Sequence, residues 1–219
     1  MKNESRLATI SRESAQKTAR VIGVFDGVAG RHDALQRGGL RGWLARRDDA
    51  ALANLMESSP GQRVLEVGCG SGRHARSLSA QGLRVCAVDL SPRMVDLVRP
   101  HVEEAHVANI ETLSLGRRFD RVFSVGLLDF VRDPALCVGR LAMHVQVGGR
   151  LVVEVPRWSL GGILYAVGYR LTRGIDVQLF LRRQLDAMVR PYHLYPSGQV
   201  NTFVHCMFAA WTRGPSSAR

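Results

Sequence analysis

The stretch from Arg63 to Asp89 constrains the fold of this chain more than any other. Apolar residues after Arg63 run into three closely spaced glycines, Gly68, Gly70 and Gly72, which is typical of a buried strand that ends in a tight turn. Apolar residues at helical spacing follow, and a second apolar run then ends at Asp89. The stretch therefore predicts one strand–helix–strand unit.

The glycines of this turn predict a ligand site. Glycine permits positive φ and removes the side chain that would keep a ligand away from the backbone. Free N–H groups and a helix N-terminus then face the ligand. Asp89 ends the second strand about 20 residues after Gly68, the separation at which a carboxylate meets ribose hydroxyls. We expect a nucleoside cofactor; the alternative is a plain glycine turn with a solvent-facing acid.

The spacing of the glycines and the acid before them indicate which nucleoside. A dinucleotide site has the pattern G-x-G-x-x-G, whereas here the glycines alternate as Gly68-x-Gly70-x-Gly72. Glu66 lies at the end of the preceding strand. Its carboxylate would repel a pyrophosphate but would attract an ammonium or a sulfonium group.

Two motifs here resemble those of the class I S-adenosylmethionine-dependent methyltransferases, in particular the enzymes of ubiquinone and menaquinone biosynthesis. The sequence 66–72, Glu-Val-Gly-Cys-Gly-Ser-Gly, matches the first motif of that family, E/D-x-G-x-G-x-G. The sequence 88–94, Val-Asp-Leu-Ser-Pro-Arg-Met, matches the second, V-D-x-S-x-x-M. The resemblance implies S-adenosyl-L-methionine as the cofactor.

The resemblance also implies a set of cofactor-binding residues. Leu90 and Met94 would lie beside the adenine, although a role in the core alone is an alternative. Asn109 stands where the family commonly has Asp, and its side-chain oxygen can meet the adenine amino group, next to the amide of Ile110. The full expected set is Glu66, Gly68, Cys69, Gly70, Gly72, Asp89, Leu90, Met94, Asn109, Ile110 and Val125.

The expected fold is α/β. Five apolar strands alternate with helices, which predicts a doubly wound, mostly parallel sheet with ligands over the carboxyl ends of its strands. The resemblance extends this to a seven-stranded Rossmann-like sheet that closes with a C-terminal antiparallel hairpin, here near 191–195 and 200–211. An apolar helical insert precedes the hairpin.

Candidate catalytic residues are Asp129, His32 and His193. Residues after the fourth strand, which the family's F-D-x-V pattern marks at 119–122, face the transferring methyl group in the family. The ubiquinone-pathway enzymes have an acid followed by His there, and in this chain Phe130 replaces the His. Asp129 could orient an acceptor hydroxyl or amine, or it could cap a helix.

We expect a single methyltransferase domain over 21–213, after a flexible or helical arm at 1–20 and before a disordered tail at 214–219. The segment 21–33 is similar to one that closes over the cofactor in quinone-biosynthesis methyltransferases; an amphipathic helix on the sheet is the alternative. Glycines at 38–42 predict a break, with a helix from Leu44 to Met56 after it.

The segment 157–184 is predicted to be a lid or substrate insert. Apolar and aromatic residues recur in it at helical spacing, and arginines flank them. Such a helix suits a lid over a hydrophobic substrate, or peripheral contact with an anionic membrane through 157–173, or plain packing on the core. Similar inserts in the ubiquinone-pathway enzymes favour a hydrophobic or lipid-linked acceptor.

Composition excludes some classes of protein. The formal net charge is +11, and arginine supplies nearly all of it, but the arginines are scattered and no RNA-binding module is visible, so nucleic acid is not the expected partner. Four separated cysteines with no C-x-x-C pattern predict reduced thiols and no metal site. The chain has no secretory signal and no apolar run that could span a bilayer, which predicts a cytoplasmic protein, with peripheral membrane association as the alternative.

The predicted activity is methyl transfer from S-adenosylmethionine to a hydrophobic small-molecule or lipid-linked acceptor, most simply to oxygen. Such in-line transfer depends mainly on alignment, so no nucleophilic triad is required. Two alternatives stay open at this point. The basic surface could serve an RNA methyltransferase, or the chain could be a non-catalytic protein that binds S-adenosylmethionine.

Overall fold

A computed structural model describes residue 23 and residues 39–202 and 205–215 of the chain. Its centre is one sheet of seven strands in the order β3-β2-β1-β4-β5-β7-β6. The strands are β1 Arg63–Val67, β2 Arg84–Asp89, β3 Glu104–Val107, β4 Phe119–Val125, β5 Val145–Pro156, β6 Leu194–Thr202 and β7 Cys206–Arg213. The helices are α1 Gly39–Met56, α2 Arg73–Ala80, α3 Pro92–Val98, α4 Pro134–Met143, α5 Leu160–Arg173 and α6 Arg182–Val189.

Strands β1 to β5 pair in parallel, and β7 pairs antiparallel with both β5 and β6. Strand β1 lies between β2 and β4, so the winding of the chain reverses beside it and opens a crevice at the carboxyl ends of these strands. We call this side of the sheet the carboxyl edge. The doubly wound sheet, its C-terminal antiparallel pair and the helical insert confirm the predicted fold class.

Both faces of the sheet are covered, which explains why its central strands are apolar without alternation. On one face, Leu65 and Val67 join a core that includes residues of α4 and α6. On the other face, Val64 joins a second core that includes residues of α1, α2 and α3. Glu66 shares this second face, since side chains alternate along a strand.

Two local predictions were wrong. Helix α1 begins at Gly39 rather than after a break, because glycine lowers helix stability by only about 1 kcal/mol relative to alanine and Gly42 is buried. Strand β6 continues through the predicted gap between the last two strands. The register shifts between Pro196 and Gly198, and a bulge on an edge strand tolerates a proline that a central strand would not.

Helix α5 forms inside the predicted insert. The Ser159 hydroxyl accepts a hydrogen bond from the amide of Gly162 at its start, and Gly174 ends it in the left-handed conformation. Within the residues that the structure describes, none of the helices has the length and hydropathy needed to cross a membrane. The predicted arm at 1–20 and the end of the predicted tail, 216–219, lie outside those residues, as does 21–33 apart from Gly23.

Candidate active site

The glycine turn joins β1 to α2 at the carboxyl edge. Gly68, Gly70 and Gly72 have φ values of +78°, +52° and +82°, which residues with side chains rarely adopt. A Cβ atom on Gly72 would lie 2.4 Å from the Val98 side chain, whereas a Cβ atom on Gly70 would meet nothing within 4 Å. Gly72 is therefore required for packing, and Gly70 borders open space.

Asp89 at the end of β2 braces this turn. Its Oδ2 accepts a hydrogen bond of 2.9 Å from the amide of Gly70, and its Oδ1 accepts one of 2.9 Å from the amide of Ser91. The carboxylate is thus fixed between the glycine turn and the start of α3, where Ser91 caps the helix by accepting from the amide of Met94. A carboxylate at this position can also accept hydrogen bonds from ligand hydroxyls.

Glu66 is the buried acid of the site, with only 2% of its surface exposed. Burial raises the pKa of its carboxyl above the ordinary value, and hydrogen bonding with His74 partly offsets this effect. Its Oε1 lies 3.5 Å from Nδ1 of His74. Its Oε2 has no hydrogen-bond partner among the described residues. A buried acceptor of this kind is costly unless a ligand donates to it.

The other expected cofactor residues border the same edge. Cys69 lies in the turn, and burial raises the pKa of its thiol, so we assign it no reactive role. Met94 and Ile110 are buried, whereas Leu90, Asn109 and Val125 are partly exposed. Asn109 accepts a hydrogen bond of 2.9 Å from the amide of Glu111 and so begins a short 3-10 turn, Ile110–Thr112, which leaves the second lone pair of its oxygen for a ligand.

These residues fit S-adenosylmethionine. Gly70 offers open space where a side chain would stand, Asp89 offers a braced carboxylate and Glu66 offers an unsatisfied buried oxygen. A carboxylate beside the turn matches the ammonium and sulfonium charges of that molecule and opposes a pyrophosphate. We infer that the crevice is built for an adenosyl sulfonium.

Aromatic side chains gather farther along the carboxyl edge, beyond β4. Tyr165 and Tyr169 on α5 have ring centroids 4.9 Å apart. The ring of Tyr169 lies 5.7 Å from that of Phe130, and the ring of Tyr165 stacks on His205 at 4.6 Å. We call these four residues together with Asp129 the aromatic cluster.

Asp129 is buried within this cluster, with 1% exposed. Burial raises the pKa of the Tyr165 hydroxyl, and the negative charge of Asp129 raises it further. Asp129 does not cap α4, because Asp133 does so by accepting from the amide of Leu136. The structure therefore leaves the role of orienting an acceptor open to Asp129 and removes the alternative role at that helix.

A second buried acid, Glu154, lies at the end of β5, beside the aromatic cluster. Its Oε2 accepts a hydrogen bond of 2.9 Å from the amide of Gly126, directly after β4. Burial raises the pKa of Glu154, and it also raises the pKa of the Cys206 thiol, which hydrogen bonds to Glu154. This pair fixes the loop that leads to Asp129.

The structure brings together Asp129 and the expected cofactor residues at one edge, but it places His193 elsewhere. His193 precedes β6, whose first residue pairs with Arg213, and this end of the sheet is the one at which β5 begins. It therefore lies opposite the carboxyl edge, and the interpretation of His193 as a base is corrected. His32 lies outside the residues that the structure describes.

Sequence reasoning missed His205 and His74, because neither lies in a strand-end motif that names a role. His205 reaches the aromatic cluster from the β6–β7 connection, where its carbonyl accepts a hydrogen bond of 2.7 Å from the amide of Arg157. Burial lowers the pKa of His205, which favours a neutral imidazole near pH 7. A histidine directly before the last apolar strand was the only available signal.

Helix α5 presents its apolar residues outward rather than to the core. Leu160 and Leu171 have 75% and 80% of their surface exposed, and only Gly162 of the helix is buried. Packing on the core, one of the three roles considered for this helix, is therefore excluded. The remaining exposed apolar residues of this surface are Trp158, Ile163, Leu164 and Val167, and we call it the α5 outer face.

One group of metal-ligand types converges away from the crevice. The ligand atoms of Cys86, Glu104 and His106 lie within 4.8 Å of one another, on β2 and β3. The guanidinium of Arg117 already pairs with the Glu104 carboxylate, and burial raises the pKa of the Cys86 thiol to about 11. A protonated thiol and a resident cation both disfavour a metal ion there.

Comparison with known proteins agrees with this geometry. Residues 65–153 match the family described as "Methyltransferase domain". A ubiquinone biosynthesis O-methyltransferase of Xylella fastidiosa (strain 9a5c) is 35% identical over 115 residues, which cover 49% of this chain and 47% of that protein. The chain thus spans about half the length of the curated relatives that it matches.

Two solved structures share the fold. An N-methyltransferase, NodS, of Bradyrhizobium japonicum WM9 in complex with S-adenosylhomocysteine has a TM-score of 0.67 at 16% identity, over 89% of this chain and 98% of that one. A 1,6-didemethyltoxoflavin-N1-methyltransferase of Burkholderia thailandensis has a TM-score of 0.68 at 18% identity, over 92% and 91%. The first motif, the strand order and the sequence relatives make residues 65–153 similar to the class I S-adenosylmethionine-dependent methyltransferases.

Proposed function

We propose that the protein transfers the methyl group of S-adenosylmethionine to an oxygen atom of a hydrophobic small molecule. One observation carries this proposal: a bare glycine turn lies between two fixed carboxylates, Glu66 and Asp89, at the point where the sheet reverses its winding. The curated relatives, which are named as O-methyltransferases of ubiquinone biosynthesis, support oxygen as the acceptor atom.

The residues of the turn would hold the cofactor in complementary ways. Asp89 would accept hydrogen bonds from the ribose hydroxyls, and Glu66 would accept from the ammonium of the methionine moiety. The amide of Ile110 and the oxygen of Asn109 would meet the adenine. When bound, S-adenosylmethionine supplies a methyl group that is activated by the positive charge on sulfur.

The aromatic cluster would hold the acceptor. Tyr165, Tyr169 and Phe130 offer ring faces and edges to a flat apolar molecule, and they exclude water from the transfer path. Most of the acceleration would come from holding the acceptor oxygen in line with the methyl carbon, because the reaction needs no covalent intermediate on the protein.

Asp129 and His205 would handle the proton of the acceptor hydroxyl. Both belong to the aromatic cluster, Asp129 as a buried carboxyl and His205 as an imidazole that burial keeps neutral. Either group can accept a hydrogen bond from a hydroxyl and so direct a lone pair of the acceptor oxygen toward the methyl group. His205 thereby offers the imidazole that Phe130 does not supply.

The α5 outer face supports an acceptor that is drawn from a membrane. A row of exposed leucine, isoleucine and valine side chains is flanked by Arg170 and Arg173 in the last turn of the helix. Such a helix can rest on an anionic bilayer, with its apolar side chains among the acyl chains and its guanidinium groups at the headgroups. Tyr165 and Tyr169, on the opposite side of the same helix, border the proposed acceptor site.

A labelling experiment tests the proposal. The protein is incubated with a cell extract and with S-adenosylmethionine that carries an isotopically labelled methyl group. We expect label in an apolar, organic-soluble product that mass spectrometry identifies as a methyl ether. Label in RNA would instead support the RNA alternative. If no fraction is labelled although S-adenosylhomocysteine binds, the chain is a cofactor-binding protein and the proposed activity is wrong.

The variant Asp89→Asn tests the cofactor-binding part of the proposal. Hydrogen bonds to a charged group contribute about 1.5–3 kcal/mol, so we expect S-adenosylhomocysteine to bind more weakly by roughly tenfold to a hundredfold. Asp96→Asn, which changes an exposed acid of α3, is the control and should bind as the unaltered protein does.

A further inference from the structure

A chain of three side chains leads from the buried acid of the glycine turn to helix α1. Nδ1 of His74, on α2, lies 3.5 Å from Oε1 of Glu66, at the outer limit of a hydrogen bond. Its Nε2 lies 3.2 Å from Oδ1 of Asp49, on α1. The exposed fraction of these three side chains rises from 3% for Glu66 to 12% for His74 and 46% for Asp49.

The surroundings of the imidazole fix where its first proton resides. Nε2 also lies 2.8 Å from Nη2 of Arg73, which is always a donor, so the neutral ring accepts there and carries its proton on Nδ1. A second proton would reside on Nε2 and would be shared with Asp49. In both charge states, therefore, Nδ1 carries the hydrogen that faces Glu66.

Other charged groups act on this ring from each neighbouring element. Burial opposes the charged imidazole, but hydrogen bonds with Asp49 and Glu66 outweigh burial and hold the pKa of His74 above its ordinary value. Phe123 of β4 contributes no charge and places its ring at 83° to the imidazole. The charged groups around His74 and Glu66 are Asp49 of α1, Arg73 of α2, Asp89 of β2 and Glu154 of β5.

The consequence concerns the two oxygens of Glu66. His74 engages Oε1, whereas Oε2 has no partner among the described residues and is buried beside the glycine turn. A buried carboxylate with both oxygens unpaired would change rotamer or take up a proton. With Oε1 held by His74, Oε2 is left as the acceptor that faces a cationic N–H group.

We propose that His74 is a positioning residue for the cofactor, holding Glu66 so that the free oxygen of that carboxylate receives the ammonium of the methionine moiety. This inference rests on the proposed function, because it needs S-adenosylmethionine in the crevice. His74 itself touches neither the ammonium nor the reacting atoms. Its effect is therefore confined to ligands that carry the ammonium.

Two ligands separate this role from general support of the fold. S-adenosylhomocysteine carries the ammonium, whereas 5′-methylthioadenosine has the same adenosine and sulfur without the amino acid. Two variants separate the two ring nitrogens, since an Asn amide reaches the place of Nδ1 and a Gln amide reaches the place of Nε2. Isothermal titration calorimetry of both ligands against both variants measures the effect without any turnover.

We expect His74→Gln to weaken S-adenosylhomocysteine binding by about tenfold or more and to change 5′-methylthioadenosine binding by less than about twofold. His74→Asn, which restores a donor to Glu66, should recover most of the lost affinity. Glu66→Gln should produce the same selective loss, and adding His74→Gln to it should cause little further loss, because both changes remove one interaction.

Several results would overturn the inference. Equal loss of both ligands in His74→Gln would indicate a structural role, and so would full additivity with Glu66→Gln. Unchanged binding of S-adenosylhomocysteine in His74→Gln would remove any role in cofactor binding. If the unaltered protein binds 5′-methylthioadenosine but not S-adenosylhomocysteine, the ammonium has no site. If it binds neither ligand, the proposed function fails as well.

Discussion

The two halves of the carboxyl edge are built by different means. The half over β1 and β2 consists of backbone and fixed carboxylates, with a turn that Asp89 braces through the amide of Gly70. The half over β4 and β5 consists of rings from three separate parts of the chain: the β4–α4 loop, α5 and the β6–β7 connection. Under the proposed function, the cofactor would meet a local motif of the chain, whereas the acceptor would meet a surface assembled from distant segments.

Asp129→Asn should have the largest effect and should confine it to the acceptor half. A positioned general base or orienting group contributes about 10²–10⁴-fold to rate, so we expect methyl transfer to fall by at least about a hundredfold. S-adenosylhomocysteine affinity should stay within about twofold. The measurement is labelled methyl incorporation alongside calorimetry.

Asp133→Asn is the matched control for Asp129, because it alters an acid of the same loop that only caps α4. Asparagine is as good a cap as aspartate, so activity and stability should both persist. If Asp129→Asn weakened S-adenosylhomocysteine binding by as large a factor as it slowed methyl transfer, the division of the edge into two halves would be contradicted.

Gly70→Ala should break the cofactor half alone. A residue with a side chain in the left-handed region costs about 1 kcal/mol of folding stability, and the added Cβ atom would enter the space where the ligand is expected. We expect S-adenosylhomocysteine to bind at least about tenfold more weakly.

Gly116→Ala has the same backbone cost and calibrates Gly70→Ala. Gly116 has φ +65° and open space around it, and it lies in the loop before β4, at the opposite end from the crevice. Thermal unfolding should show similar losses in the two variants, and only Gly70→Ala should lose ligand. Unchanged affinity in Gly70→Ala would place the ligand away from the turn.

Substitutions on the α5 outer face should have a smaller effect, which concerns binding to membranes rather than methyl transfer. Leu160→Ser with Leu171→Ser should abolish flotation with vesicles that contain phosphatidylglycerol, because the two side chains are the most exposed leucines of that face. Val147→Ser, which alters an exposed apolar residue near the start of β5, should leave flotation unchanged. Absence of flotation by the unaltered protein would reject membrane contact.

The smallest expected effect is on stability and depends on pH. The folded-state pKa of His74 is raised, so its contribution is complete below the unfolded value of about 6.5 and is lost as pH rises through the folded value. The stability advantage of the unaltered protein over His74→Asn should therefore shrink as the pH rises above about 6.5. Chemical denaturation across that range measures it, and a growing advantage would contradict the sign.

The residues of the half over β1 and β2 could be predicted from the sequence, whereas most of those over β4 and β5 could not, for a physical reason. Glu66, Gly70 and Asp89 lie within one strand–helix–strand unit, so their spacing fixes their geometry. His205 reaches Tyr165 only because β7 pairs with β5, and Asp49 reaches His74 only because α1 and α2 cover the same face of the sheet. Contacts between distant segments of this kind leave no local periodicity, so the doubly wound sheet could be expected but the aromatic cluster could not.

The error at β6 and the alternatives left open at α5 have the same origin. Pro196 and Gly198 are turn residues by type, yet an edge strand absorbs them as a bulge. The spacing of apolar residues predicted the α5 helix correctly, but periodicity gives a face and not its partner. Burial is settled by tertiary contacts alone.

Calorimetric titration of the unaltered protein with S-adenosylhomocysteine, and separately with NAD and FAD, tests the central claim most directly. We predict one S-adenosylhomocysteine per chain and no heat with either dinucleotide, because Glu66 beside the glycine turn favours a cationic ligand and repels a pyrophosphate. Saturable binding of a dinucleotide, with none of S-adenosylhomocysteine, would contradict the account.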